Sequence, residues 1–421
     1  LLSKRNMKIY VKKFNGQAAS PMEVEPDMSV ADLWVSIFMA EGLRPGMDLV
    51  LVFGNCQVDP DRDVSLATVG IEEESVIVSI KQRLEVVLTA WGFHACMWNV
   101  STGGLLQTFK GHTRLVKSAS FSPDGSLVLT NAWDDTAKIW DVSTGQCAHT
   151  LKHRDTVNCA LFSHDGSLVT TGSEDGTAKI WYVATGKCMH TLSGHSVAGW
   201  RGGVNSVVFS RDGASVVTAS NDSTAMIWSA STGKRMHTLV GHNGSESVDK
   251  AMFSHDGSLI LTAGSYCTKI WIASTGECTT TLDGKCSTVV FSQDGCLVLT
   301  CSSDSVKIWN AFTGGCAQIL TGHSGYLTAE LSPDGAQVLT TARDGIAKIW
   351  NASTGECTHT LWSYSECKGF PAVFSDDSSM VLTAHKDCTA KIWDAYTGEC
   401  IQALEYPWHA EELSSAVFAA S

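Results

Sequence analysis

Eight Ile-Trp or Met-Trp pairs recur along this chain, each trailed by a Thr-Gly turn. Their tryptophans are Trp98, Trp140, Trp181, Trp228, Trp271, Trp309, Trp350 and Trp393, spaced 38 to 47 residues apart. A single repeat of this size cannot bury its own apolar faces, so successive repeats must stack on one another. A period near 40 to 45 residues suits four short strands per repeat, with the repeats set as blades around a ring. Surfaces built by such repetition serve binding more often than catalysis.

The strands within a repeat follow from residue 115 onward. Residues 115–121 read as an apolar strand, and Ser122-Pro123-Asp124-Gly125 turns the chain. Residues 127–130 and 136–141 give two further strands, Ser143-Thr144-Gly145 turns again, and 147–151 form an outer fourth strand. The Asp-Gly turn returns at Asp165-Gly166, Asp212-Gly213, Asp256-Gly257, Asp294-Gly295 and Asp334-Gly335. Asp and Gly tolerate the positive φ that tight hairpins require. Alternation is weak in the inner strands, as expected where neighbouring blades bury both faces.

These residues resemble the WD-repeat family of β-propellers over about residues 84–421. In that family a Gly-His pair, a Ser/Thr, an Asp and the Trp form a hydrogen-bonded tetrad. The resemblance implies four complete sets: His112, Thr130, Asp134, Trp140; His153, Thr171, Asp175, Trp181; His195, Thr218, Asp222, Trp228; and His323, Thr340, Asp344, Trp350. The carboxylate fixes the imidazole tautomer, the imidazole meets the hydroxyl, and the hydroxyl accepts the indole N–H. A motif copied around a ring reads as bracing, not as a Ser/Thr-His-Asp catalytic centre. Other repeats depart from it: Phe93 and Tyr266 stand where Asp is expected, and the repeats carrying Asp304 and Asp387 lack Gly-His. Those blades are expected to rely on packing more than on polar links.

The ends of the chain set the blade count. The first repeat begins at its second strand, 85–90, and residues 413–419 read like the inner strand 204–209. The simplest arrangement has the C-terminal segment completing the first blade, which gives an eight-bladed ring without an open strand edge.

Residues 7–82 follow a different grammar. Strands are expected at 7–16, 22–26, 49–53 and 75–80. A helix is expected over 29–42, with Val30, Leu33, Trp34, Ile37 and Phe38 on one face, Ser29 capping its start and Gly42 ending it. The order of elements, with Val-Glu-Pro-Asp, Glu-Gly-Leu-Arg-Pro and Gly-Ile-Glu-Glu-Glu-Ser, resembles ubiquitin, a small α+β (β-grasp) domain. Two departures matter: Lys81-Gln82-Arg83-Leu84-Glu85 replaces a free Gly-Gly end, and Trp34 stands at one of the lysine positions. The resemblance therefore implies a built-in ubiquitin-like domain that cannot be conjugated through its end. It maps the apolar recognition patch onto Leu51, Val78 and Ile80, with Phe14 on the neighbouring turn; these either dock a receptor or pack on the propeller. The short linker limits independent motion. Residues 1–6 before Met7 read as a leader.

Composition bounds the partners. The 421 residues carry a net charge of −13, which disfavours nucleic acid or an anionic membrane as the main partner. No apolar run approaches the roughly 20 residues of a membrane span, so the chain reads as soluble. Six of 15 cysteines (Cys147, Cys188, Cys278, Cys316, Cys357, Cys400) sit seven residues after a repeat tryptophan, where Leu105 and Arg235 stand in two other repeats. Equivalent positions in different blades lie too far apart to bridge, so packed, reduced thiols are expected, in the cytoplasm or the nucleus. No CxxC pair or Cys/His cluster with zinc spacing appears, and no cofactor is indicated.

The binding face is expected at the rim carrying the outer-to-inner loops and the turns between second and third strands. An insertion at 196–202 brings Trp200 and Arg201 there, residue types common at interface hot spots. Trp133, Arg154, Tyr326, Arg343 and Lys386 stand on the same rim, with Glu174 and Asn221; Trp133 and Trp200 could equally cover gaps between blades. The sequence thus points to a non-enzymatic scaffold or adaptor that binds proteins as part of a larger complex. Two narrower readings are a large-ribosomal-subunit assembly factor, since WD-repeat proteins of that kind also carry an N-terminal ubiquitin-like domain, and a ubiquitin-pathway substrate receptor. Missing basic tails weaken the first. An enzyme is the least supported class, since no nucleophile elbow or phosphate loop is visible.

Overall fold

The Ser-Pro-Asp-Gly-Ser punctuation shows why the chain folds into short antiparallel strands. Ser122 Oγ donates to Asp124 Oδ1 (2.7 Å), Gly125 N–H returns to the Ser122 carbonyl (2.8 Å), and Gly125 takes φ +71°. The same device recurs at Ser163/Asp165, Ser210/Asp212, Ser254/Asp256, Ser292/Asp294 and Ser332/Asp334. A seventh copy, Ser375/Asp377, has Ser378 at φ +62° where the others have glycine, and it was not apparent from the Asp-Gly pattern. An L residue there is strained, since only glycine reaches this region without cost.

The computed structural model describes residues 86–418 apart from 101, 197–201, 245, 285, 287, 303, 326, 343, 363–371, 385–388 and 406–412, and describes the backbone of five strands before residue 84. The chain divides into two compact units, Leu1–Glu85 and Val86–Ser421.

In the first unit the strands are β1 (Met7–Lys13), β2 (Ser20–Val24), β3 (Met47–Phe53), β4 (Cys56–Val58) and β5 (Val76–Arg83). They form one mixed sheet in the order β2-β1-β5-β3-β4, with β1 and β5 parallel and the other pairs antiparallel. The second strand runs earlier than the 22–26 expected, the last extends past residue 80, and β4 was not anticipated. The helix expected over 29–42 lies outside the described residues.

The second unit contains eight four-stranded antiparallel sheets. Blade 1 uses β6 (Val86–Trp91), β7 (His94–Asn99) and β8 (Leu105–Lys110), and blade 2 uses β9 (Val116–Phe121), β10 (Leu127–Ala132), β11 (Thr136–Asp141) and β12 (Cys147–Lys152). Blades 3 to 8 occupy 157–193, 204–240, 248–283, 288–321, 327–362 and 372–405. The C-terminal strand Leu413–Phe418 pairs antiparallel with β6, so blade 1 is made from both ends of the unit, as the sequence implied. Its serines also reach blade 2: Ser414 Oγ donates to the Val116 carbonyl (2.5 Å) and Ser415 Oγ accepts the Ala119 N–H (3.1 Å).

The second strand of each blade is the most buried. β6 is buried throughout and β10 at all but its first residue. Loss of alternation is therefore strongest there, while the innermost strand β9 keeps partly open positions. The core lies between blades. Leu129, Ile139 and Leu151 of blade 2 pack with Val157, Val169 and Trp181 of blade 3, and Trp98 and Cys96 of blade 1 pack with Leu382, Ile392 and Leu404 of blade 8. Burying side chains of this kind contributes roughly 1.5–3 kcal/mol each.

Opposite Trp140 a register shift marks a bulge, and Cys147 pairs there. Cys147, Cys188, Cys278, Cys316, Cys357 and Cys400 are all exposed, which corrects the expectation of packed thiols. The reason is positional: each opens the outermost strand of its blade, whose outer edge pairs with no further strand. Among the described residues, no helix is long and apolar enough to cross a membrane.

Candidate functional site

The bracing of the blades fixes the rim, so the site is built from it. In blade 2, His112 Nδ1–H donates to Asp134 Oδ2 (2.9 Å), Thr130 Oγ1 meets His112 Nε2 (2.7 Å), and Trp140 Nε1–H donates to Thr130 Oγ1 (2.8 Å). The other three complete sets repeat this, with His–Asp distances of 3.0 to 3.1 Å and His–Thr distances of 2.7 to 2.8 Å. Burial pushes the His112 imidazole below its ordinary value, against the pull of Asp134, which suits a neutral ring with one donor and one acceptor nitrogen. Burial works against ionising Asp175, yet hydrogen bonds from His153, Thr177 and the Arg154 N–H outweigh it and hold the carboxyl well below the usual range. The same balance places Asp222 at about 2.

Two parts of this network escaped the sequence. The residue after each histidine gives its backbone N–H to the aspartate: Thr113, Arg154, Ser196 and Ser324, at 2.8 to 3.1 Å. The Trp-to-Thr link also survives in the incomplete blades, as Trp98 to Thr89, Trp271 to Thr262, Trp309 to Thr300 and Trp393 to Thr383, at 2.7 to 2.8 Å. Those blades thus keep the Trp-to-Thr link, and blade 5 also keeps the His242–Thr262 link at 2.8 Å, beside the packing on which they were expected mainly to rely. In blade 6, Asp304 bonds, among the described residues, its neighbours Ser302 (2.9 Å) and Ser305 (3.4 Å). Phe93 is 40% exposed at the blade 1 turn, and Asp387 lies outside the described residues.

On the rim so braced, Trp133 is 47% exposed, with its N–H held by the Leu115 carbonyl (3.0 Å). Arg154 is exposed, its backbone fixed by Asp175. Trp200, Arg201, Tyr326, Arg343 and Lys386 lie outside the described residues. Of the apolar patch, Phe14 lies outside them too. Leu51 stands opposite Ser79, Val78 opposite Val52, and Ile80 opposite Val50 in the β3–β5 register.

A run of polar residues on five successive inner strands, inside this rim, was missed. The second residue of successive inner strands is Ser414, Lys117, Asn158, Asn205 and Asp249. Asn158 and Asn205 donate across blade junctions to the Val204 and Val248 carbonyls (3.2 Å each), and Asn131 reaches the Val157 carbonyl (2.9 Å). Lys117 donates to Asn158 Oδ1 (2.8 Å), Asn158 to Glu174 Oε1 (2.7 Å), and Asn205 to Asn221 Oδ1 (2.7 Å). Burial lowers the Lys117 ammonium below its ordinary value. Gly203 leaves room for these side chains: a Cβ there would lie 2.1 Å from Glu174 Oε2 and 3.1 Å from Asn221 Nδ2, so both would have to shift. One sequence signal could have found this run: polar residues at one fixed position of otherwise apolar inner strands.

Blade 5 carries the one described group of three potential metal ligands. His242, Glu246 and Cys267 bring their donor atoms within 4.8 Å of one another. The set has no local zinc-type spacing: the fold assembles it from residues four and 25 positions from His242. Burial also lowers His242 below its ordinary value, with Glu246 opposing.

A closed ring of four-stranded sheets, with a His–Thr–Asp–Trp network between rim and core, defines a β-propeller of the WD type. The chain belongs to the WD domain, G-beta repeat family, whose pattern matches residues 103–141, 145–182, 186–229, 233–271, 276–310, 314–351 and 355–394. Seven linear matches and eight blades agree, because the remaining blade is split between the two ends of the ring and no continuous stretch of chain contains it. Among solved structures, the computationally designed Ika8 protein is similar at 25% identity and a TM-score of 0.63, covering 73% of this chain and 91% of that one. The Periodic tryptophan protein 2 homolog of Schizosaccharomyces pombe is 48% identical over 44 residues, which is 10% of this chain and 5% of that protein's length.

Proposed function

We propose that this protein is a non-enzymatic adaptor whose propeller rim holds a protein partner while the N-terminal unit contacts a second protein. The observation that carries this reading is Trp133, a large aromatic 47% exposed on a turn whose backbone the Asp134 network makes rigid. An aromatic anchor on a preorganised surface loses little entropy when it binds. Arg154 is exposed on the same rim, and the sequence assigns the insertion bearing Trp200 and Arg201 to it as well. The mixed sheet, with its first and last strands parallel at the centre, supports a ubiquitin-like reading of the N-terminal unit. Exposed thiols on six outer strands suit a reducing compartment such as the cytoplasm or nucleus.

The test is affinity capture by the full chain with partners read by mass spectrometry. Trp133→Ala with Arg154→Ala, and separately Trp200→Ala with Arg201→Ala, are expected to lose a partner kept by the wild type, with the melting temperature unchanged. A hot-spot tryptophan commonly contributes about 2 kcal/mol or more, roughly thirtyfold in affinity. Full capture by both variants would place the binding surface off this rim and sink the proposal. Ribosomal precursors or proteasome and ligase subunits among the captured proteins would select the assembly-factor or the substrate-receptor reading.

A further inference from the structure

In blades 2, 3 and 4 the histidine Nδ1 faces an aspartate at 2.9 to 3.1 Å and, at 3.3 to 3.5 Å, a threonine hydroxyl that opens the third strand: Thr136, Thr177 or Thr224. Blade 5 rebuilds this node from different atoms. Cys267 opens its third strand in place of threonine, and its Sγ lies 3.5 Å from His242 Nδ1. The aspartate position is Tyr266, and the carboxylate comes instead from Glu246, whose Oε2 lies 3.9 Å from the same nitrogen. Glu246 also accepts the Tyr266 N–H through Oε1. An N/O/O node has become an N/S/O node.

We propose that His242, Glu246 and Cys267 bind a zinc-type divalent cation that staples the loop before blade 5 to its rim turn. The distances fit. With metal–nitrogen, metal–oxygen and metal–sulfur bonds of about 2.0–2.1, 2.0–2.2 and 2.3 Å, tetrahedral edges come to roughly 3.6 Å for N to S and roughly 3.4 Å for N to O. The 3.5 Å contact matches the first. The 3.9 Å gap is too long for a hydrogen bond and closes to the second with a small side-chain shift.

Two further features support the site. His242 Nε2 lies 2.8 Å from Thr262 Oγ1, the contact that the regular blades also make, so an oxygen able to take the second N–H of a metal-bound imidazole is already in place. The space for Glu246 is itself built. Gly264 stands where blades 2, 3 and 4 have Ala132, Ser173 and Ser220, and a Cβ there would lie 2.4 Å from Glu246 Oε1. His242 and Glu246 are buried, 7% and 3% exposed, while Cys267 is half-buried, which leaves a fourth position for water at the rim.

The test uses the full chain, stripped with a chelator and kept reduced without thiols, titrated with Co²⁺ and then competed with Zn²⁺. The expected result is a saturable sulfur-to-cobalt absorption band at about one equivalent, and a Zn²⁺-dependent rise in melting temperature. Cys267→Thr restores the residue of the regular blades, so it should fold normally, yet lose both signals. Glu246→Gln keeps an acceptor for the Tyr266 N–H and should weaken binding about tenfold or more. A band undiminished in Cys267→Thr would put the ion on the exposed outer-strand cysteines and overturn the proposal, as would a wild type with no saturable band.

Discussion

At the residue scale, one hydroxyl organises each blade. Thr171 accepts the Trp181 indole N–H at 2.8 Å and meets His153 Nε2 at 2.7 Å, and His153 in turn meets Asp175. Removing one member strands buried polar groups that water cannot reach, and that loss exceeds the net value of the bond itself. Asp175→Ala is therefore expected to cost on the order of 1–3 kcal/mol. Asp304→Ala is expected to cost less, because Asp304 is exposed and its bonds among the described residues go to its neighbours Ser302 and Ser305. Chemical denaturation of both variants checks this, and equal losses would contradict the hierarchy of networks. The residue types of the four complete sets were legible in the sequence because the repeat copies them. The Glu246 substitution in blade 5 was not, since no neighbouring repeat has a carboxylate at that offset.

At the element scale, blade 1 is the weak seam of the ring, for its inner strand arrives from the far end of the unit. Leu413–Phe418 supplies the pairing for β6, and Ser414 and Ser415 bond to blade 2. Ala416 completes the cluster around Trp98 and Trp91. Deleting residues 410–421 exposes the β6 edge and opens that cluster. The truncated chain is expected to melt earlier with a broadened transition, or to aggregate through the free edge. Calorimetry and light scattering read both outcomes, and a melting curve identical to the full chain would rule out closure by this strand.

At the scale of the whole molecule, acidification sets two effects against each other. Burial holds His112, His242 and His323 below their ordinary value; Asp134 with Lys138 and His94, Glu246 with Lys269 and Asp249, and Asp344 with Lys348 are the charged groups around them. The unfolded chain takes up these protons near pH 6.5 while the folded ring resists, so this contribution to stability falls as pH drops through that value. Asp222, held at about 2 from an ordinary 3.8, contributes stability above 3.8 that is lost as pH falls toward 2. Opposing the histidine effect is relief of self-repulsion as the charge of −13 shrinks toward the isoelectric point near 5.5. Because His112→Gln removes one buried imidazole and leaves the global charge term alone, it is expected to lose less melting temperature than the wild type between about pH 7.5 and about pH 5.5. Parallel pH profiles for the two chains would show that burial of His112 carries no such cost.

The sequence by itself determined what repeats: the eight tryptophans, the Ser-x-Asp-Gly turns, the polar tetrads and the split first blade. Periodic local signals of this kind need only spacing to be read, and neighbouring copies correct one another. Tertiary structure alone decided what lies between copies. Asn131, Asn158 and Asn205 clamp blades 2, 3 and 4 each to the next through carbonyls 26 to 46 residues away. The six repeat cysteines, apolar by type, were placed inside by the sequence and outside by the fold, because the outer edge of the strand they open pairs with no further strand. His242, Glu246 and Cys267 meet only because the rim turn of blade 5 is folded back over the loop that precedes it, a proximity that linear spacing does not encode.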